Sequence, residues 1–224
     1  MNDRELQSIL GKIRADVKQY RPIVTELHKN FSNGKYKLLE VGAGARLIKD
    51  LIPKNIIYHS MDIDDEQTYP FNLDEGRFPI QDEVYDIIVC TETLEHIMYP
   101  HRVLKEMLRV AKKGATFFLS QPNEYNFLQR IYYLVGKKPT LTDETYMVVE
   151  KHQHIHRPRV KDIFKLFSNY IKIDKYWFIW LSKLSGHGGR LRGVARIVDN
   201  SLAPLASLWP SFFTRLVLVK GHKI

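Results

Sequence analysis

Cysteine is almost absent from this chain of 224 residues: Cys90 is the only one. A single thiol excludes an internal disulfide framework and any zinc site built on cysteine pairs. It lies within an apolar strand-like run, where a thiol is inert packing. Long apolar runs are missing too, since none reaches the ~18 residues that a membrane-spanning helix needs. The opening Met1-Asn2-Asp3-Arg4-Glu5 lacks the basic-then-apolar order of a secretory signal, so a cytoplasmic protein is expected. Arginine-rich runs and RNA-binding signatures do not occur. Lys and Arg nevertheless outnumber Asp and Glu by 34 to 25, a formal net charge of +9. Because these cations are scattered, they describe a basic surface, and no nucleic acid partner is expected. With 44% hydrophobic residues the chain can fill one core, and its length fits one domain with additions.

What the chain does have is Leu38-Leu39-Glu40-Val41-Gly42-Ala43-Gly44, an apolar strand running into a glycine turn. Lacking a Cβ, the glycines permit a tight turn and let a ligand approach the backbone. A helix expected after Gly44 would aim free N–H groups at whatever lies over the turn. A second apolar segment ends in Met61-Asp62, and an acidic side chain there can accept hydrogen bonds from ribose hydroxyls. Two nucleotide fingerprints fail. A dinucleotide site wants a third glycine where Leu47 stands, and no Gly-Lys-Ser/Thr of a phosphate loop occurs.

The remaining pattern, an acidic residue followed by Gly-x-Gly, resembles the first motif of class I methyltransferases that use S-adenosyl-L-methionine (SAM). The likeness extends through Phe71-Asn72-Leu73-Asp74-Glu75-Gly76, Phe78-Pro79-Ile80 and Val84-Tyr85-Asp86-Ile87-Ile88-Val89-Cys90. It continues through Thr91-Glu92-Thr93-Leu94-Glu95-His96-Ile97 and Phe117-Phe118-Leu119-Ser120-Gln121-Pro122-Asn123, and so spans about residues 36–126 in order and spacing. This resemblance implies a Rossmann-like α/β fold with a mostly parallel seven-stranded sheet flanked by helices. It implies SAM as cofactor, with Glu40, Gly42 and Gly44 at the methionine end and Asp62, beside Ile63, at the ribose. Asn72 and Leu73 fall at the adenine edge, and Thr91 beside the ligand. Many members carry a further glycine where this chain has Arg46. A cation at a helix N-terminus costs a few tenths to about 1 kcal/mol if exposed, so Arg46 either faces the methionine carboxylate or, as expected, points to solvent.

Apolar positions Leu6, Ile9, Leu10, Ile13, Val17 and Tyr20 predict a first helix capped by Asn2 or Asp3. Pro22 opens a second, stopped by Asn33-Gly34, so residues 1–34 read as a helical brace. Strands are expected at Lys37–Val41, Ile56–Met61, Asp86–Cys90 and Ala115–Ser120. A helix from Pro100 should end at the basic turn Lys112-Lys113-Gly114. Alternation of this kind implies parallel crossovers, with the ligand at the strands' C-terminal ends, where Glu40, Asp62, Asn72 and Thr91 fall. The resemblance implies that residues 35–126 form the cofactor core and 127–224 the acceptor side of a single domain. In that last part a helix is expected over Val160–Tyr170 and strands over Ile171–Trp180 and Phe212–Lys220. In the family that the chain resembles a final hairpin completes the sheet, and these two strands fit that pair, interrupted by a C-terminal insertion at 185–210 that is longer than a turn requires.

The candidates for acceptor chemistry are histidines. His96 follows the fourth strand, where it can serve as a base or simply orient the loop with Glu95. His152, His154 and His156 stand at alternate positions and would share one face of an extended segment. Only Glu150 completes the set locally, so no metal site is expected there, and His154 or His156 is placed in an acceptor pocket. Arg190, Arg192 and Arg196 alternate with Leu191, Val194 and Val198, a pattern compatible with a peripheral contact on an anionic inner membrane face. Pro122-Asn123-Glu124-Tyr125-Asn126 and the His-x-His segment resemble methyltransferases of cell-surface polysaccharide and lipid pathways. That resemblance implies transfer to a hydroxyl, or an amine, of a glycan, lipid-linked or small-molecule acceptor. A non-catalytic SAM-fold binding module is the alternative. The oligomeric state is left open.

Overall fold

The computed structural model describes residues 3–13, 17–136, 154–180, 201 and 204–223. Helices α1 (Asp3–Gly11) and α2 (Tyr20–Asn30) precede strands β1 (Tyr36–Val41), β2 (Ile56–Asp62), β3 (Tyr69–Pro70) and β4 (Tyr85–Thr91). Then come α3 (Pro100–Val110), β5 (Ala111–Pro122), α4 (Phe127–Leu134), α5 (Val160–Ser168), β6 (Lys172–Ile179), α6 (Pro210–Phe213) and β7 (Leu216–His222). The strands form one seven-stranded sheet in the order β3-β2-β1-β4-β5-β7-β6, parallel except where β7 runs antiparallel to both β5 and β6. This is the Rossmann-like sheet that the motif order implied, with its terminal hairpin.

Neighbouring apolar residues on each central strand serve opposite faces, as the two-residue strand period requires. Leu39, Ile88, Phe117 and Val217 pack with Val103, Leu104 and Met107 of α3 and Ile163 and Phe167 of α5. Leu38, Ile87, Phe118 and Leu218 pack on the other face with Ile23, Val24 and Leu27 of α2. Cys90 is buried within β4. Among the described residues no helix is long and apolar enough to cross a membrane.

Several elements differ from the sequence expectation. The first helix stops at Gly11 rather than running to Tyr20, since glycine costs a helix interior about 1 kcal/mol relative to alanine. Beyond Gly44 there is no regular helix but a series of tight turns, such as Arg46 N–H to the Ala43 carbonyl at 2.7 Å. Gly44 and Arg46 adopt φ of +44° and +53°, and a right-handed helix cannot propagate through left-handed residues. Helix α3 ends at Val110 and passes straight into β5. There Ala111 pairs with Tyr85 and Thr116 with Ile87, so the intervening Lys112-Lys113-Gly114 bulges out instead of closing the helix. Lys112 uses its charge on Asp86, 2.7 Å away. The last strand begins at Leu216, because Pro210–Phe213 is helical. His152, Arg190, Arg192 and Arg196, with most of the 185–210 insertion, lie outside the described residues.

The brace is tied to the sheet electrostatically as well as by its apolar face. Glu26 of α2 receives Lys175 of β6 at 2.8 Å and Lys220 of β7 at 2.7 Å. Burial alone would raise the Glu26 pKa, but the two ammonium groups outweigh it and hold the carboxyl below its ordinary value. The stabilisation is therefore present above the ordinary carboxylate range and fades as pH falls through the lowered folded-state value. Glu26→Gln should cost about 1–2 kcal/mol in urea denaturation at neutral pH. That is at the lower end for charged hydrogen bonds because Lys175 is half exposed. The deficit should shrink in acid, and a pH-independent difference would show that Glu26 acts through packing alone.

Candidate cofactor and acceptor site

The strand order reverses between β1 and β4, the position where open parallel sheets bind ligands beyond their C-terminal ends. A cleft of about 530 Å³ opens there, walled by Gly42, Gly44, Asp62, Ile63, Phe71, Asn72, Leu73, Glu92, Thr93 and His96, among others. Seven of the expected cofactor and catalytic positions thus come together in one cavity.

Contacts on both sides hold the glycine turn. The N–H of Gly42 donates to the Met61 carbonyl at 2.8 Å, and that of Gly44 to Asp62 Oδ2 at 2.8 Å. Gln67 Nε2 donates to the Gly44 carbonyl at 2.9 Å. The other Asp62 oxygen accepts the Ile63 N–H at 2.7 Å. Gly42 has φ +70°, and a Cβ built on it would lie 2.1 Å from Thr93 Oγ1, whereas a Cβ on Gly44 would project into open space. Gly42 is therefore required by the protein's own packing, and Gly44 leaves room for a ligand. Arg46 does not lie free in solvent as expected: it pairs with Glu66 at 2.7 Å.

Glu40 lies within β1 at 1% exposure. Its Oε2 accepts the Tyr58 hydroxyl, while Oε1 has no hydrogen-bond partner among the described residues. Burial, reinforced by the Asp62 charge and opposed by the Tyr58 hydrogen bond, pushes the carboxyl up to about 8. A buried carboxylate oxygen awaiting a donor suits the ammonium of an amino-acid moiety. Thr91 does not line the cleft, and its hydroxyl donates to Tyr20 of α2 at 3.1 Å. Thr93, two residues on, takes the cleft position. The Asn72 side chain caps the turn at Leu73–Glu75, accepting from the Asp74 N–H at 3.1 Å, and apolar Ile63, Phe71 and Leu73 stand nearby as surfaces for a base.

Next to Thr93 the cleft meets a cluster of carboxylates and imidazoles. Glu92, the first residue after β4, has φ +49°, a conformation rare outside glycine, and accepts a hydrogen bond from Gln19 of the brace. It opens onto the cleft, yet the surrounding protein raises its pKa, with Glu124 adding to the effect and His154 opposing it. Glu95 is fully buried, and neither carboxylate oxygen has a hydrogen-bond partner among the described residues. Burial raises its pKa well above the ordinary value, against the pull of its own N–H, and the Glu92 and Glu124 charges raise it further. His96 on the cleft wall meets His154 edge-on, with ring centroids 4.8 Å apart. His154 Nδ1 is 2.5 Å from Glu124 Oε1. His156, by contrast, turns away, with Nε2 on the Ile97 carbonyl at 2.9 Å and its ring in a neighbouring cavity beside Arg102 and Asp162. Sequence reasoning missed Gln67, Thr93, Glu92 and Glu124. Glu92, Thr93 and Glu124 lie inside the quoted motifs and Gln67 lies between two of them, but no spacing rule marks any of the four.

A Rossmann-like sheet with a glycine turn at its switch point, an acidic residue ending β2 and a buried carboxylate with one unpartnered oxygen under the turn is the arrangement of the SAM-dependent methyltransferase fold. The chain belongs to the methyltransferase-domain family, whose model matches residues 12–170. A ubiquinone biosynthesis O-methyltransferase of Hydrogenovibrio crunogenus is 24% identical over 152 residues, covering 60% of this chain and 61% of that protein. One of Aliivibrio fischeri is 23% identical, covering 64% and 69%. The chain thus spans roughly two thirds, or slightly less, of the curated relatives it matches. An S-adenosylmethionine-dependent methyltransferase of Mesorhizobium loti shares the fold with a TM-score of 0.57 at 11% identity, covering 93% of this chain and all of that one.

Proposed function

We propose that this chain transfers the SAM methyl group to a hydroxyl of a small-molecule, glycan or lipid-linked acceptor. The observation that carries the reading is continuity: one cleft joins the Gly42–Gly44 turn and Asp62 to Glu92 and His96. When bound, SAM supplies a methyl carbon made electrophilic by its sulfonium. Glu40, Gly42 and Gly44 would hold the methionine end, Asp62 the ribose, and Ile63, Asn72 and Leu73 the adenine. His96 and Glu92 face the acceptor, and His154 lies behind His96. Much of the rate in a displacement of this kind comes from alignment, so these groups need only orient the acceptor and receive its proton. An oxygen acceptor is favoured over an amine because the curated relatives are named as O-methyltransferases.

Exposed Ile131, Leu134, Leu208 and Trp209 on and around α4 and α6 support a lipid-linked acceptor met at a membrane surface. Release of S-adenosylhomocysteine should be measured with phenolic, glycan and isoprenoid-linked hydroxyl acceptors, with and without anionic vesicles. Product release that depends on an oxygen acceptor is expected, and vesicles should increase it for the lipid-linked substrate. Tight cofactor binding without turnover on any acceptor would favour the non-catalytic module instead.

A further inference from the structure

We propose that Glu95, His96 and His154 bind a divalent metal ion at the acceptor end of the cleft. One ligand atom from each lies within 4.8 Å of the others. Bonds of ~2.0–2.2 Å to a central ion need only a modest closing of these side chains. Glu95 supplies the second observation: it is fully buried with both carboxylate oxygens unpartnered among the described residues, and it points at the two imidazoles. A carboxylate kept so far from water is characteristically paired or coordinated.

The surroundings are those of a built site. The N–H groups of Ile155 and His156 donate to the Glu95 carbonyl at 2.8 and 3.1 Å. His156 Nε2 adds its bond to the Ile97 carbonyl. These three contacts dock the histidine segment onto the Glu95–Ile97 backbone and fix His154 opposite His96. Glu124 then engages His154 Nδ1, which leaves Nε2 free to donate its lone pair to an ion. A carboxylate behind a ligating imidazole is the usual arrangement that fixes its tautomer. The set is not the His152–His154–His156 row considered from sequence, for the fold turns His156 elsewhere.

Two imidazoles and one carboxylate suit zinc, manganese, iron(II) or cobalt(II) better than magnesium or calcium, which prefer all-oxygen shells. Three protein ligands leave coordination positions open. His96 lies on the cleft wall, so an open position faces the acceptor, whose hydroxyl would bind there and lose its proton to water more readily. That role rests on the methyl-transfer reading; the ion site itself does not.

The test uses chelator-stripped full-length protein without an affinity tag, titrated with Co²⁺ and followed by visible absorption. One equivalent should bind with ligand-field bands, and Zn²⁺ should displace it. Glu95→Gln and His154→Gln should each lose the bands. Glu124→Gln, which removes only the support behind His154, should weaken binding about 10–100-fold. His101→Gln, outside the cluster, should bind as wild type does. Calorimetry with S-adenosylhomocysteine on every variant reports folding and the cofactor end separately. Absence of Co²⁺ bands in wild type that binds S-adenosylhomocysteine overturns the metal site and leaves the cofactor reading intact. Unchanged bands in both Glu95→Gln and His154→Gln also overturn it. Co²⁺ bands without S-adenosylhomocysteine binding would support the ion site and count against the cofactor assignment.

Discussion

Gly42→Ala should destabilise the protein by roughly 3 kcal/mol and abolish an ordered cofactor turn. Two costs add. The new Cβ would sit 2.1 Å from Thr93 Oγ1 and 2.2 Å from its Cγ2, far inside contact distance. Forced overpacking of this kind typically costs about 1–3 kcal/mol. The backbone also has φ +70°, a left-handed conformation that costs an L-residue roughly 1–2 kcal/mol. Thr93 cannot easily swing away, because its hydroxyl donates to the Thr91 carbonyl at 3.0 Å and the side chain is buried. Gly44→Ala is the informative contrast. It has a left-handed φ of +44° but open space around its Cβ, so its stability loss should be nearer 1 kcal/mol. Its added methyl instead intrudes on the cleft and should weaken SAM binding. Chemical denaturation and calorimetry on the two variants separate packing from ligand contact. Equal stability of Gly42→Ala and wild type would mean that the β1 and β4 ends lie farther apart than described.

The architecture was legible where local pattern and packing agree. Adjacent apolar pairs such as Leu38-Leu39, Ile87-Ile88 and Phe117-Phe118 read as strands covered on both faces, and each pair divides between the two core clusters. Such patterning cannot show which turns stay helical. The segment after Gly44 has ordinary helical composition, yet Arg46 enters the left-handed basin while pairing with Glu66, and the helix is lost. Nor could the basic run Lys112-Lys113 be assigned from sequence, since a helix end and a strand bulge both accommodate it. The ion pair with Asp86 settles it as a bulge.

The candidate site was legible at its proposed cofactor end and much less so at its proposed acceptor end. Gly42, Gly44 and Asp62 announce themselves because glycine and aspartate are there for steric and hydrogen-bonding reasons that act over short spans. The cluster around Glu92, Glu95, His96 and His154 depends on contacts between distant segments. Gln19 and Tyr20 of the brace reach the end of β4 at Glu92 and Thr91, although amphipathic spacing in that region marks only an apolar face. His154 meets His96 only because the backbone of the histidine segment bonds to Glu95. Without that docking, three histidines at alternate positions look like one strand face.

Asp62→Ala should weaken binding of SAM and of S-adenosylhomocysteine by about 1.5–3 kcal/mol, the range for hydrogen bonds to a charged group. The carboxylate has two tasks. In the free protein it accepts the N–H groups of Gly44 and Ile63 at 2.8 and 2.7 Å, which sets the glycine turn and the rim of the cleft. Each oxygen has a second lone pair, and Asp62 lines the cleft, so ribose hydroxyls can be accepted without releasing those bonds. Asp62→Asn keeps one acceptor oxygen and should lose less than the alanine variant, with the turn partly preserved. Denaturation should register only about 1 kcal/mol for Asp62→Ala, because the freed N–H groups lie near the cleft and can bond to water. Calorimetry with S-adenosylhomocysteine measures the first effect, and a parallel titration with NADH tests specificity. Unchanged affinity in Asp62→Ala, or tight NADH binding by wild type, would remove Asp62 from the ribose position and reopen the identity of the nucleoside.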